Sequence, residues 1–80
     1  MRENVPFEIR EHIATLAEYN GGEYTLELNH ISYKGAAPKY DLRKWDKKAG
    51  RMLKGVTLTP AEAEACAAAI LAHLRKEARP

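Results

Sequence analysis

Gly55-Val56-Thr57-Leu58-Thr59-Pro60-Ala61-Glu62 is the stretch that decides the fold, because it hands a short strand directly to a helix. Thr59-Pro60-Ala61-Glu62 is a capping box. The Thr59 hydroxyl accepts from the Glu62 backbone N–H, and the Glu62 carboxylate reaches back to the Thr59 N–H. Proline occupies the first helical position, where its missing N–H leaves no bond unmade. The helix is expected over 60–77, with Arg75 and Lys76 placed to complement its dipole. Ala65 to Ala72 is uninterrupted apolar and mostly alanine. A helix burying a single stripe would carry charges every third or fourth residue there. This one is therefore expected to be covered by the sheet on one side and by a second helix on another. With one helix per chain, the second belongs to another subunit. The alanines also admit a plainer reading, as good helix formers left in solvent. At 100° per residue, Ile70 and Leu74 stand about 40° apart and Leu71 about 100° from Ile70. The three are not expected to face the same sheet, so Ala67, Ile70, Leu71 and Leu74 are the candidate interface of a helix-mediated homodimer.

Upstream, the pattern is that of strands. Gly55-Val56-Thr57-Leu58 reads as a short fourth strand, preceded by a polar loop from Asp46 to Lys54. Lys39 to Trp45 alternates, with Tyr40 and Leu42 on one face and Lys39, Asp41, Arg43 and Trp45 on the other. Residues 23–33 alternate too: Tyr24, Leu26 and Leu28 oppose Thr25, Glu27, Asn29, Ile31 and Tyr33. Asn20-Gly21-Gly22 is a turn signal, since glycine accepts positive φ freely. Residues 5–19 read as the first strand, with Val5, Phe7, Ile9 and Ile13 pointing one way and Glu8, Arg10 and His12 the other. Glu11 and Leu16 break that parity, which implies a bulge, a strong twist or an exposed end. The expected fold is α+β, β-β-β-β-α, with sequential antiparallel strands in a single domain over 1–80, strands within 5–58.

Eighty residues bury only about 60% of their unfolded surface, so a lone monomer is marginal. Cys66 is the one cysteine, which leaves no disulfide. His12, His30, His73 and Cys66 show none of the short pair spacings of zinc sites, so neither metal nor cofactor is expected. Oligomerisation remains as the staple. No run of eighteen apolar residues exists, and Met1-Arg2-Glu3-Asn4 opens no signal-peptide core, so a cytoplasmic protein without a membrane span is expected.

The net charge of +2 conceals an asymmetry. Between Lys34 and Lys54 stand Lys34, Lys39, Arg43, Lys44, Lys47, Lys48, Arg51 and Lys54 against only Asp41 and Asp46. Tyr33, Tyr40 and Trp45 are interleaved with these cations. Ammonium and guanidinium groups meet phosphates, and flat rings stack on unpaired bases, which duplexes do not offer. Each residue has a duller role as well: Trp45 capping the core, Tyr33 packing across strands, the loop cations merely solvated. Asp41 is expected to orient Arg43 by an ion pair, and Glu8, Glu11, Glu18, Glu23 and Glu27 to be solvated strand positions. No nucleophile–base pair, phosphate loop or carboxylate dyad can be read, so no enzyme and no small-molecule substrate is expected.

Pro38-Lys39-Tyr40-Asp41-Leu42-Arg43-Lys44-Trp45, followed by Lys54-Gly55-Val56-Thr57-Leu58-Thr59-Pro60, resembles the transcriptional positive cofactor four family. The likeness is closer to its small bacterial YdbC-like branch, which shares an opening like Phe7-Glu8-Ile9-Arg10-Glu11-His12-Ile13 and a hairpin like Glu27 to Gly35. The resemblance implies a curved four-stranded antiparallel sheet, a C-terminal helix at a dimer interface, and single-stranded DNA in the sheet channels. It carries base stacking to Tyr33, and nucleic-acid contact to Arg43, Trp45 and Lys54. The turn is longer than in the eukaryotic coactivators, which leaves the placing of Lys34 and Lys39 open, and their acidic serine-rich tail is absent. The expected nucleic-acid set is Tyr33, Lys34, Lys39, Arg43, Trp45, Lys47, Lys48, Arg51 and Lys54, binding single strands largely without regard to sequence in DNA transactions such as transcription, replication or repair. The alternatives are a single-stranded RNA binder and a protein-interaction module whose basic face docks an acidic partner.

Overall fold

The computed structural model describes residues 7–78. Four strands, β1 (Phe7–Tyr19), β2 (Tyr24–Tyr33), β3 (Lys39–Asp46) and β4 (Arg51–Leu58), precede one helix, α1 (Pro60–Ala78). Each strand pairs antiparallel with the one before it, so the sheet order is the chain order. This is the expected α+β meander; the expected start at Val5 lies outside the described residues. β4 begins earlier than Gly55, and the expected Asp46–Lys54 loop shrinks to a tight turn in which Asp46 Oδ1 accepts the Ala49 N–H at 3.0 Å. The capping box is made as read: Thr59 N–H donates to Glu62 Oε1 at 2.9 Å, and Glu62 N–H to Thr59 Oγ1 at 3.2 Å.

β1 departs from simple alternation. Ile9 lies opposite Ile31, His12 opposite Asn29, Thr15 opposite Glu27 and Glu18 opposite Thr25. Three β1 residues thus answer every two of β2, with register shifts at Ile9/Glu11, His12/Ala14 and Thr15/Ala17. Each bulge bends the strand and increases its twist. The face that alternation assigned to Ile9 and Ile13 is in fact shared by Ile9, His12, Thr15 and Glu18. Asn20, Gly21 and Gly22 then turn the chain with φ of 55°, 68° and 93°, a run of left-handed backbone that needs its glycines.

The two faces of the sheet are covered unequally. Along β2 the burial alternates, but the buried set is the polar one: Thr25, Glu27 and Asn29 are 5%, 6% and 1% exposed. Among the described apolar side chains only Ile31 is fully buried. Side chains on this face cover one another, His12 of β1 meeting Asn29 and Lys47 meeting Glu27. On the other face Leu28, Tyr40, Leu42 and Leu58 look across an apolar groove of about 490 Å³ at Ala63, Ala67, Ile70 and Leu71. The expectation that the sheet would bury one side of the helix is corrected here: no described residue of α1 is buried. The helix stands off the sheet, and among the described residues its backbone approaches β3 and β4 alone. Ile70 and Leu71, about 100° apart around the helix, both border this groove. Leu74 is 55% exposed and does not line it.

Candidate nucleic-acid interface

The open face is organised by Asp41, which is fully buried on the central strand β3. Two residues on, Arg43 returns over it: Nε donates to Oδ2 at 3.0 Å and Nη2 to Oδ1 at 2.8 Å. Arg43 Nη1 donates to the Leu53 carbonyl at 2.9 Å, and the Thr57 hydroxyl donates to Asp41 Oδ1 at 3.0 Å. A guanidinium has five N–H donors, so this paired fork still offers others to a ligand. Hydrogen bonding to Asp41 raises the Arg43 guanidinium above its ordinary range, against the lowering effect of burial. The orienting role expected of Asp41 is what the geometry displays.

Gly55 makes this packing possible. It lies opposite Arg43, and a Cβ there would sit 2.5 Å from Arg43 Cβ and 2.6 Å from the Leu42 carbonyl oxygen. Only glycine allows so close an approach of two backbones. Immediately before it, Leu53 and Lys54 together face the single residue Lys44, a bulge that shifts Met52 opposite Trp45.

The predicted residues divide by position. Tyr33 ends β2, with its hydroxyl 3.4 Å from Thr57 Oγ1 and the Lys39 Nζ 6.0 Å from its ring centroid. Lys34, exposed and at φ 49°, begins the turn at that end of the sheet. At the far end Trp45 lies half-buried beneath the Lys47 Nζ, 5.9 Å from the ring centroid, and its indole Nε1 is buried with no hydrogen-bond partner among the described residues. Lys39, Arg43 and Trp45 share one row of β3, with Tyr33 beside its Lys39 end. Lys48 and Lys54 are exposed at the turn and bulge. Arg51 is drawn elsewhere: it lies opposite Asp46, one step out of phase with Trp45, and its Nη2 is 3.9 Å from Asp46 Oδ2. Lys44, of the opposite parity to the row, places Nζ 5.0 Å from the Tyr19 ring centroid.

A second group on this face is built around Glu27, which sequence reading took for a solvated strand position. Glu27 accepts from the Thr25 hydroxyl at 2.7 Å and pairs with Lys47 Nζ at 3.0 Å and His12 Nδ1 at 3.7 Å. Burial would raise the Glu27 carboxyl, but these hydrogen bonds and charges hold it below its ordinary value. His12 Nδ1 is also 2.7 Å from Asn29 Oδ1, and Nε2 is 3.1 Å from Thr15 Oγ1. The sequence signal that could have found the group is the i, i+3 spacing of Ile9, His12, Thr15 and Glu18, set against the alternate polar residues of β2.

The profile of the family described as transcriptional coactivator p15 (PC4) matches residues 23–68, which run through β2, β3 and β4 into the first half of α1. The chain belongs to the PC4 family. It is also 43% identical over 56 residues to an uncharacterized protein of Treponema pallidum (strain Nichols), a match covering 70% of this chain and 65% of that relative. That likeness supports a bacterial origin. The PC4 match contains the whole Asp41–Arg43–Gly55–Thr57 cluster, both rings and every cation of the basic stretch. β1, with His12, Thr15 and Glu18, lies outside the matched residues.

Proposed function

We propose that this chain binds single-stranded nucleic acid, DNA in the first place, on the open face of its sheet, as a homodimer and without catalysis. The observation that carries the reading is the row Lys39, Arg43 and Trp45, flanked by Tyr33 and set on one face by an internally paired Asp41. Cations spaced along a strand follow a phosphate backbone, and half-covered rings at both ends offer stacking surfaces. Membership of the PC4 family, known for single-stranded DNA binding and coactivator activity, supports the same reading.

A second copy is the natural cover for the groove between α1 and the sheet. With one fully buried apolar side chain among the described residues, the chain has little core of its own. Ile70, Leu71 and Leu74 are 53%, 51% and 55% exposed along a single helix. A two-fold partner would cover them with the same residues. No described helix is long and apolar enough to cross a membrane, which fits a protein at work beside nucleic acid in the cytoplasm.

Fluorescence titration with a short oligothymidylate tests the function. Trp45 emission is expected to be quenched as bases stack, and log K to fall against log salt by about 0.7 per phosphate contacted. Unchanged emission together with a flat salt dependence refutes the nucleic-acid reading and leaves a face that docks proteins.

A further inference from the structure

The open face contains a trough that the basic row does not occupy. It runs between β1 and β2, has a volume of about 480 Å³, and is walled by Ile9, His12, Thr15, Glu18, Glu27 and Asn29. That volume falls within the range of small-molecule sites, about 300–1,000 Å³. At its floor lies Asn29, 1% exposed, whose Nδ2 has no hydrogen-bond partner among the described residues. A buried amide donor left unmade costs about 1–3 kcal/mol, so an orphan of this kind calls for a partner supplied from outside.

The orientation of the amide follows from its neighbours. A Glu27 oxygen lies 3.7 Å from His12 Nδ1, which favours the tautomer protonated there. Nδ1–H then donates to Asn29 Oδ1 at 2.7 Å, and Nε2 accepts from the Thr15 hydroxyl at 3.1 Å. Asn29 Nδ2–H is left as the donor. The walls select what can accept it. Glu18 and Glu27 bring carboxylates, and Lys47, the cation that reaches the trough, is paired to Glu27 at 3.0 Å. Such a wall repels phosphate and accepts hydrogen bonds from N–H groups. An edge that presents a carbonyl oxygen beside an N–H satisfies the amide and the carboxylate together.

Resting on the single-strand reading, we propose that this trough is a base pocket. An unpaired nucleobase enters edge-on, its carbonyl oxygen accepts from Asn29 Nδ2, and the phosphates stay on the basic row of β3. The pocket divides the labour of the face, with charge read along β3 and one base edge read between β1 and β2. The β1 wall of the pocket lies outside the PC4 match, and its β2 wall within it.

Side-chain amide NMR of the wild-type protein tests it, with an oligothymidylate and an abasic strand of equal length as probes. The Asn29 amide protons are expected to move with oligothymidylate and to stay in place with the abasic strand. Asn29→Asp keeps the acceptor for His12 and removes the donor. It is expected to cut the ratio of oligothymidylate to abasic affinity about tenfold, the weight of one buried hydrogen bond, and circular dichroism checks its fold. A Trp45 indole resonance that shifts while Asn29 does not overturns the pocket and leaves the nucleic-acid reading standing. An unchanged affinity ratio in a folded Asn29→Asp protein overturns it equally. Binding to neither strand overturns both readings.

Discussion

Leu71→Glu is the substitution that asks most of the proposed dimer. Leu71 borders the apolar groove and keeps 51% of its surface in solvent in the single chain. Full burial of a leucine side chain stabilises by about 1.5–3 kcal/mol. Covering the exposed half therefore contributes about 1 kcal/mol per protomer, doubled by symmetry. Ile70, at 53%, adds a similar increment. Glutamate forfeits this contribution and places a carboxylate where its symmetry mate lies nearby. A buried charge without a partner costs several kcal/mol more. The sum exceeds what a marginal small domain can lose. Sedimentation equilibrium is expected to show wild type at twice the 9.0 kDa chain mass, and Leu71→Glu as monomer or unfolded chain. The wild-type melting temperature is also expected to rise with protein concentration, because association and folding are linked. A wild-type 9.0 kDa species at micromolar concentration, melting cooperatively at a concentration-independent temperature, refutes the reasoning.

Three other outcomes follow from the open face. Gly55→Ala forces β3 and β4 apart, since its Cβ would meet the Leu42 and Arg43 backbone within 2.8 Å, and urea denaturation is expected to register a loss of about 1–3 kcal/mol or more. Arg43→Ala strands the fully buried Asp41 carboxylate at a cost of about 3–5 kcal/mol. The double change Asp41→Asn/Arg43→Ala should recover part of that loss, and a double variant no more stable than the single one counts against it. Glu27 has a depressed carboxyl pKa in the fold, so its contribution is present above the unfolded-state value and is lost as pH falls through the folded one. Glu27→Gln is expected to flatten that acid limb in pH-dependent melts, and identical limbs would show that Glu27 is not coupled to folding.

The elements whose boundaries rest on local chemistry were legible in the sequence. Thr59 and Glu62 cap α1 as their spacing requires, and β2 and β3 keep strict period two, so Lys39, Arg43 and Trp45 share a row. β1 was not legible in detail, because period two does not apply to a strand with three bulges, and the partners of His12 depend on where those bulges fall. Glu27 misled for a related reason. A charged residue on a face without a helix over it looks solvated, yet curvature brings Thr25, Lys47 and His12 around it. The apolar run of α1 signalled that it needs cover, but within one chain the sheet does not supply it.

The bulges bear also on what the sheet refuses to join. β1 and β4 are its two outer strands, where unpaired N–H and C=O groups would ordinarily template a neighbour. A continuous ribbon growing strand by strand needs a flat, regular rim. β1 interrupts its rim at three places and β4 once beside Gly55, so neither margin matches the even spacing of an incoming strand. Lateral polymerisation is disfavoured on both sides, so the rims of the sheet are guarded against the open-ended growth that a flat edge invites.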